Sequence, residues 1–171
     1  MHVATTTKRW TLEELHSLPD DGNKYELVRG ELFVTPPPTG GHETILARLT
    51  RILEPFVRAQ KLGLVYHPRA VVRFEGSEVE PDLMVREPPP GPDLVWERWP
   101  VPLLVVEVLS DSTRRRDRGH KRTFYLDVGV AEYWIVDPEQ RTISAVRPEQ
   151  DDLVGREQFS WIPAGADQPL T

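Results

Sequence analysis

Two carboxylates stand where apolar side chains are expected. In "EPDLMV" (residues 80–85) the acid is Asp82, and in "PLLVVEVLSDST" (residues 102–113) it is Glu107. Both runs read as strands. The second is nearly continuous apolar, the pattern of a central strand covered on both faces. Strand alternation puts Glu80, Asp82 and Met84 on one face of the first, and Leu103, Val105, Glu107 and Leu109 on one face of the second. An isolated ionised carboxylate in a core is costly and tends to protonate instead. Each acid therefore requires a cation, a salt bridge or a strand end open to water. Two acids converging from neighbouring strands form a hard-oxygen site suited to Mg²⁺ (or Mn²⁺), since Mg²⁺ keeps several waters and takes one or two protein carboxylates. The competing reading is structural: Asp82 and Glu107 are consumed by salt bridges to Arg69 or Arg73.

The stretch after Glu107 adds basic residues. "RRRDRGHKRTFYLDVG" reads as a helix from about Arg114 to Val128, ended by Gly129. Asp117, Lys121, Phe124, Tyr125 and Val128 share one face at helical spacing. Because that face is apolar below Lys121, it is the one expected against a sheet, with the Lys121 ammonium aimed at the carboxylates. There it would orient a water or stabilise phosphate charge; the ordinary alternative is a lysine snorkelling along the core. Arg114, Arg115, Arg116, Arg118 and Arg122 surround it as a dense basic cluster, the type of footprint that phosphate-backbone binding needs. Cations in the first half of a helix oppose its dipole, which argues for an anionic partner.

The elements that would position these residues alternate. Thr11 and Glu14 in "TLEELHSLP" form a capping-box pattern, with Leu12, Leu15 and Leu18 as a short apolar stripe. "KYELVRGELFVTPPP" reads as two strands turning at Gly30 and stopped at Pro36. "GHETILARLTRILEPFVRAQKLG" is a long helix with Ile45, Leu49, Ile52, Leu53 and Phe56 as its apolar face, interrupted at Pro55 and ended at Gly63. Three short strands follow in "LVYHP", "AVVRF" and "PDLMV". A Pro-rich surface loop, "REPPPGPDLVWERWP", leads into the central strand. After the basic helix, "AEYWIVDP" and "RTISAVRP" form a strand pair turning at Asp137–Gln140, and "GREQFSWI" is a candidate edge strand. The expected architecture is α/β, a mixed central sheet flanked by helices.

Composition sets the frame. The chain has 171 residues, 39% hydrophobic and 28% charged, and net charge −6. That length suits one domain, 1–171. No run of 18 apolar residues marks a membrane span, and the first residues, "MHVATTTKRW", lack the apolar segment of a signal peptide. Cysteine is absent, which excludes disulfides and thiolate metal sites and points to a reducing, cytoplasmic setting. The acidic net charge leaves any affinity for nucleic acid to local clusters.

The order "YELVRGEL…PP…GH…PDLMV…LLVVEVLSDST…DRGHKRTFYLDVGVAEYWIVDP" resembles the Uma family of restriction-endonuclease-like proteins, within the PD-(D/E)XK nuclease superfamily. The resemblance covers roughly residues 22–150. It implies a restriction-endonuclease-like αβββαβ core and Mg²⁺-dependent cleavage of phosphodiester bonds in nucleic acid, with DNA the expected partner. Matched by position, Asp82 takes the motif's first acid and Glu107 its second. The motif's lysine should stand at position 109, where this chain has Leu109; Lys121 fits a migration of that lysine to the following helix. Glu43 or the neighbouring His42 are candidates to join the site from the long helix, and Glu26 and Glu31, flanking Gly30, match "YELVRGEL". Three alternatives stand beside this: a catalytically silent nucleic-acid-binding or assembly module of the same fold, a two-carboxylate glycosidase with Asp82 and Glu107 as acid and base, and the structural reading above. Trp96, Trp99 and the Pro-rich loop are a candidate homodimer interface.

Overall fold

The computed structural model describes residues 8–92 and 95–171. The N-terminal stretch read above as lacking a signal peptide lies mostly outside the described residues, as do two residues, 93 and 94, of the Pro-rich loop. Among the described residues, no helix is long and apolar enough to cross a membrane.

The chain opens with α1 (Leu12–His16), whose Thr11 side chain accepts from the Glu14 N–H while the Glu14 carboxylate accepts from the Thr11 N–H. Strands β1 (Lys24–Val28) and β2 (Glu31–Thr35) form a hairpin closed by Gly30 at φ +83°. Helix α2 (Gly40–Ala59) is N-capped by the Thr39 hydroxyl. Strands β3 (Leu64–Tyr66), β4 (Val72–Phe74), β5 (Ser77–Val79) and β6 (Leu83–Arg86) follow, then β7 (Leu104–Val108). A helical crossover runs as α3 (Arg114–Arg116), a π-helical turn at Asp117–Lys121 and α4 (Arg122–Val128), capped by Gly129 in the left-handed region. Strands β8 (Glu132–Asp137), β9 (Thr142–Val146) and β10 (Leu153–Gly155) complete it.

These strands make the mixed central sheet expected and, beside it, a second, smaller sheet. The larger runs β10-β9-β8-β7-β6-β3 and is antiparallel except for the β7–β8 pair. A parallel pair requires a crossover, and α3–α4 supplies it. The smaller is antiparallel, in the order β2-β1-β5-β4. The β4–β5 hairpin, of which only β4 is evident from the sequence, is an excursion from the α2-β3-β6-β7-α-β8 core into the smaller sheet.

The larger sheet is covered on both faces. On one, Leu46, Leu53 and Val57 of α2 pack on Leu83, Val85, Leu104, Val106, Val108 and Trp134. On the other, Met84, Val105, Leu109, Tyr133 and Ile135 meet Phe124 and Tyr125 of α4 and Val28, Val72 and Val79 of the smaller sheet. Every residue of β7 and β8 is buried, which is why those runs lack polar alternation.

Several expected details change. The buried stripe of α2 centres on Leu46, Leu53 and Val57, with Ile45, Leu49 and Phe56 alongside, and Ile52 is exposed. The last edge strand is Leu153–Gly155, which overlaps "GREQFSWI" only at Gly155; Trp161 forms only an isolated bridge with Leu170. Trp96 and Trp99 are half-buried, 4.4 Å apart by ring centroids, and lie over the Arg86 guanidinium. Arg86 in turn donates to the carbonyls of Val71, Trp96, Trp99 and Pro100. The two indoles thus anchor their own loop.

The α2 helix ends at a Gln60 cap, before the expected Gly63. Gly63 has a different task. At φ +109°, a Cβ there would lie 2.7 Å from the Arg86 carbonyl carbon. Gly63→Ala therefore combines left-handed strain with a backbone clash at the β3–β6 pairing. We expect a loss of about 3 kcal/mol and a melting temperature lower by roughly 6–12 °C, measured by thermal unfolding.

Candidate active site

The β6–β7 register pairs Leu83 with Val106, Met84 with Val105 and Val85 with Leu104. Asp82 and Glu107 are each the next residue beyond the Leu83–Val106 pair, so both acids fall at the same end of the strand pair. They line an open cleft of about 780 Å³ together with Lys24, His42, Glu43, Glu80, His67, Arg69 and Arg116. Asp82 sits where its backbone leaves the ladder, and its Oδ2 accepts from the Val108 N–H at 2.9 Å, taking up a donor the strand would otherwise leave unpaired.

Asp82 is held by two further donors, Lys24 Nζ at 3.2 Å on Oδ1 and His42 Nε2 at 3.1 Å on Oδ2. Burial alone would raise this carboxyl, but His42, Lys24 and Lys121 outweigh it and hold it well below the ordinary range. Reciprocally, the hydrogen bond to Asp82 raises the His42 imidazole, so that it carries a charge more readily. His42 therefore lines the site; capping of its helix falls to Thr39, which accepts from the His42 N–H.

Glu107 is gripped from behind. Its Oε1 accepts from Lys121 Nζ at 2.7 Å and from the Tyr125 hydroxyl at 2.8 Å. Lys121 also lies 2.8 Å from Glu26 Oε1 and 3.8 Å from Asp117 Oδ1, with its side chain 0% exposed. Burial and the neighbouring Asp82 push Glu107 up to about 8 despite Lys121, whereas Lys121, Lys24 and Arg116 overcome burial at Glu26 and lower it. Of the two carboxylates on Lys121, Glu26 is the firmer anion.

The π-helical turn sets this geometry. It inserts an extra residue into the helix where Lys121 faces the sheet, and the Asp117 carbonyl accepts from the Tyr133 hydroxyl at 3.0 Å. Such turns occur frequently at functional sites. The result differs from expectation in one respect: Lys121 does point inward, but it stands behind Glu107 and is not among the residues lining the cleft.

The other candidates divide. Glu26 is fully buried in the Lys121 cluster and accepts from the Glu80 N–H. Glu43 lines the cleft, half exposed, 3.5 Å from His42 Nδ1. Glu31 does not reach the site: it is exposed and lies 3.7 Å from His120. Arg69 and Arg73 do not consume the acids either, since they pair with Asp20 and with Glu78 and Glu97 respectively. Lys24 was not anticipated. It is an ordinary-looking lysine whose only signal is position, two residues before Glu26 and hence on the same inward face of β1.

The basic cluster is largely neutralised by long-range partners. Arg114 pairs with Asp137 and Glu139, Arg118 with Asp137, and Arg122 with Asp152. Arg116 turns inward to Thr35 Oγ1 at 2.8 Å and Glu26 at 3.5 Å, reaching the cleft wall. Only Arg115 is exposed with no ion-pair partner among the described residues.

The donor chemistry fits a hard divalent ion. Among the described residues no group of three or more His, Asp or Glu is arranged as a metal cage. Two opposed carboxylates at an open cleft match an ion such as Mg²⁺ that retains most of its waters.

Two outcomes follow. Lys121→Met leaves Glu107 and Glu26 buried without their ammonium, so the folded state should lose about 3–5 kcal/mol, read by denaturant unfolding. Asp137 is the second case. Burial opposes its ionisation, but the Gln140 N–H, Arg114 and Arg118 together hold it below the ordinary carboxyl range. Its stabilisation is thus fully present above the unfolded-state value and lost as pH falls through the lowered folded-state value. Asp137→Asn should cost about 1.5–3 kcal/mol at pH 7. The gap from wild type should close in acid, as measured by melting temperature against pH.

The comparisons with known proteins agree with this architecture. A family model described as "Uma2: Putative restriction endonuclease" matches residues 12–165. Among solved structures, a crystal structure of "a putative nuclease belonging to DUF820" from Anabaena variabilis superposes with a TM-score of 0.78. It is 22% identical, over 92% of this chain and 91% of that one. A search of curated proteins finds no match. The fold is that of the restriction-endonuclease-like proteins, and the chain belongs to the Uma2 family.

Proposed function

We propose that this protein is a divalent-metal-dependent endonuclease that hydrolyses phosphodiester bonds of nucleic acid, DNA being the first candidate. The observation that carries the reading is that Asp82 and Glu107, at the same end of the β6–β7 pair, line one open cleft. The family description and the nuclease-like neighbour support it.

Asp82 and Glu107 would hold Mg²⁺ or Mn²⁺, which when bound supplies Lewis-acid polarisation of the phosphate and activation of the attacking water. The chain's own residues prepare the site. Lys121 and the Tyr125 hydroxyl fix one oxygen of Glu107, leaving the carboxylate oriented towards the cleft. His42 orients Asp82, and Glu43 stands at the wall within reach of a water. Arg115 and Arg116 are the members of the basic cluster still suited to a phosphate backbone; Arg114, Arg118 and Arg122 would have to leave their carboxylates first.

One observation favours a second reading, a catalytically silent module of the same fold. Both Asp82 oxygens are already taken by protein donors, and Leu109 stands where the motif's lysine is expected. The glycosidase alternative has the raised Glu107 carboxyl in its favour and the family match against it.

Cleavage of plasmid DNA separates these. Wild type should nick DNA with Mg²⁺ or Mn²⁺ and stop in a chelator. Asp82→Asn and Glu107→Gln should each lower the rate at least about 100-fold, a typical loss for a group that stabilises transition-state charge, while DNA retention changes little. Retention of DNA without cleavage at any metal concentration supports the silent module, and chelator-resistant activity would sink the metal mechanism.

A further inference from the structure

Two lysines stand near the carboxylates, Lys24 at the cleft wall and Lys121 behind it, and they differ in what remains free. Lys121 Nζ donates to Glu107 and lies 2.8 Å from Glu26 and 3.8 Å from Asp117, and its side chain is 0% exposed, so whatever donor capacity it keeps is sealed from the cleft. Lys24 reaches the same acids from the other side. Its Nζ donates to the Glu80 carbonyl at 3.0 Å and to Asp82 Oδ1 at 3.2 Å. An ammonium has three donors, so one remains. Its side chain is 17% exposed, and it lines the cleft that Lys121 does not reach.

The surroundings give that free donor a use. Glu43, Glu80, Asp82 and Glu107 all line the cleft alongside Lys24, His42, Arg69 and Arg116, so a phosphodiester approaching the two acids meets negative charge there unless a cation stands beside them. A cation must stand beside Asp82 to receive it, and that cation must be reachable from solvent. His67 and Arg69 belong to the same wall but hydrogen-bond neither acid. His42 meets Asp82 through Nε2 and lies against Glu43 through Nδ1. Lys24 alone combines contact with Asp82, a spare donor and access.

We propose that Lys24, rather than Lys121, is the lysine that contacts the scissile phosphate, and that in the metal-free site its ammonium competes with the divalent ion for Asp82 Oδ1. Lys121 is then a positioning residue for Glu107. This assignment rests on the nuclease reading above. It is also compatible with Leu109: a lysine absent from that position at the end of β7 is supplied from β1, a different strand in a different sheet.

The competition gives a readout independent of turnover. Removing a unit charge beside a carboxylate strengthens that carboxylate's hold on a cation. Lys24→Met should therefore bind Mn²⁺ about tenfold more tightly than wild type, by titration calorimetry, and melt within a few degrees of it. It should nonetheless cleave DNA at least 100-fold more slowly, with the loss in kcat rather than KM. Lys24→Arg keeps the charge but not the compact ammonium, and should recover part of the rate. Unchanged or weaker Mn²⁺ binding in Lys24→Met, or cleavage at the wild-type rate, would overturn the assignment while leaving the nuclease reading in place. A large fall in melting temperature with no recovery in Lys24→Arg would overturn it as well, making Lys24 a structural residue. If wild type neither binds Mn²⁺ nor cleaves, the nuclease reading itself fails, and this assignment with it.

Discussion

The arrangement of the site depends on a lysine that has no contact with water. Lys121 is fully buried between the larger sheet, the smaller sheet and its own helix, and an isolated ammonium there would be prohibitively costly. It is tolerable because Glu107 comes from β7, Glu26 from β1 and Asp117 from the π-helical turn, all within 3.8 Å. Each of those carboxylates would be costly to hold ionised alone. The cluster therefore ties three elements into one electrostatic unit, and none can move without stranding a charge.

That constraint explains features that otherwise look incidental. A regular α-helix from Arg114 onward would carry one residue fewer through the stretch where Lys121 meets the sheet. The π-helical turn alters that phase, and the Asp117 carbonyl receives the Tyr133 hydroxyl. The β1–β2 hairpin lies over the larger sheet with Lys24, Glu26 and Val28 inward: Val28 joins the apolar core, Glu26 the buried cluster, and Lys24 the cleft. One strand face thus grades from core to site in two-residue steps. The smaller sheet is more than a cover for the larger one, since it delivers a carboxylate and a cation that the αβββαβ core does not contain.

Much of this was legible in the sequence where the signal is local. An acid inside an apolar run marks Asp82 and Glu107, because burial makes the anomaly visible without a partner. The helical spacing of Lys121, Phe124 and Tyr125 marks an inward face, and the Thr11–Glu14 box marks a helix start. What escaped depends on distant pairing. The fate of Arg114, Arg118 and Arg122 is decided by Asp137, Glu139 and Asp152, between 19 and 30 residues further along; nothing near the arginines announces them. Lys24 escaped for the opposite reason. A lysine at the start of a strand is unremarkable until the strand is laid over another sheet, when alternation turns it towards Asp82. Ile52 and Leu53 are adjacent apolar residues on one helix, and only the packed sheet decides that Leu53 is buried while Ile52 is exposed.

The charge distribution carries the functional consequence. In the absence of a metal, Asp82 is held by Lys24 and His42, and Glu107 by Lys121, so each acid already has a cation. These cations are not equivalent. The one on Glu107 is sealed and cannot be displaced without unfolding the cluster, whereas those on Asp82 stand at the cleft and can yield. Held in this way, the carboxylates repel one another less than free anions would, and Glu107 keeps its orientation through Lys121 and Tyr125. On the proposed reading, Asp82 and Glu107 would hold the divalent ion, and the cations beside Asp82 would be the ones offered to a phosphate in the cleft.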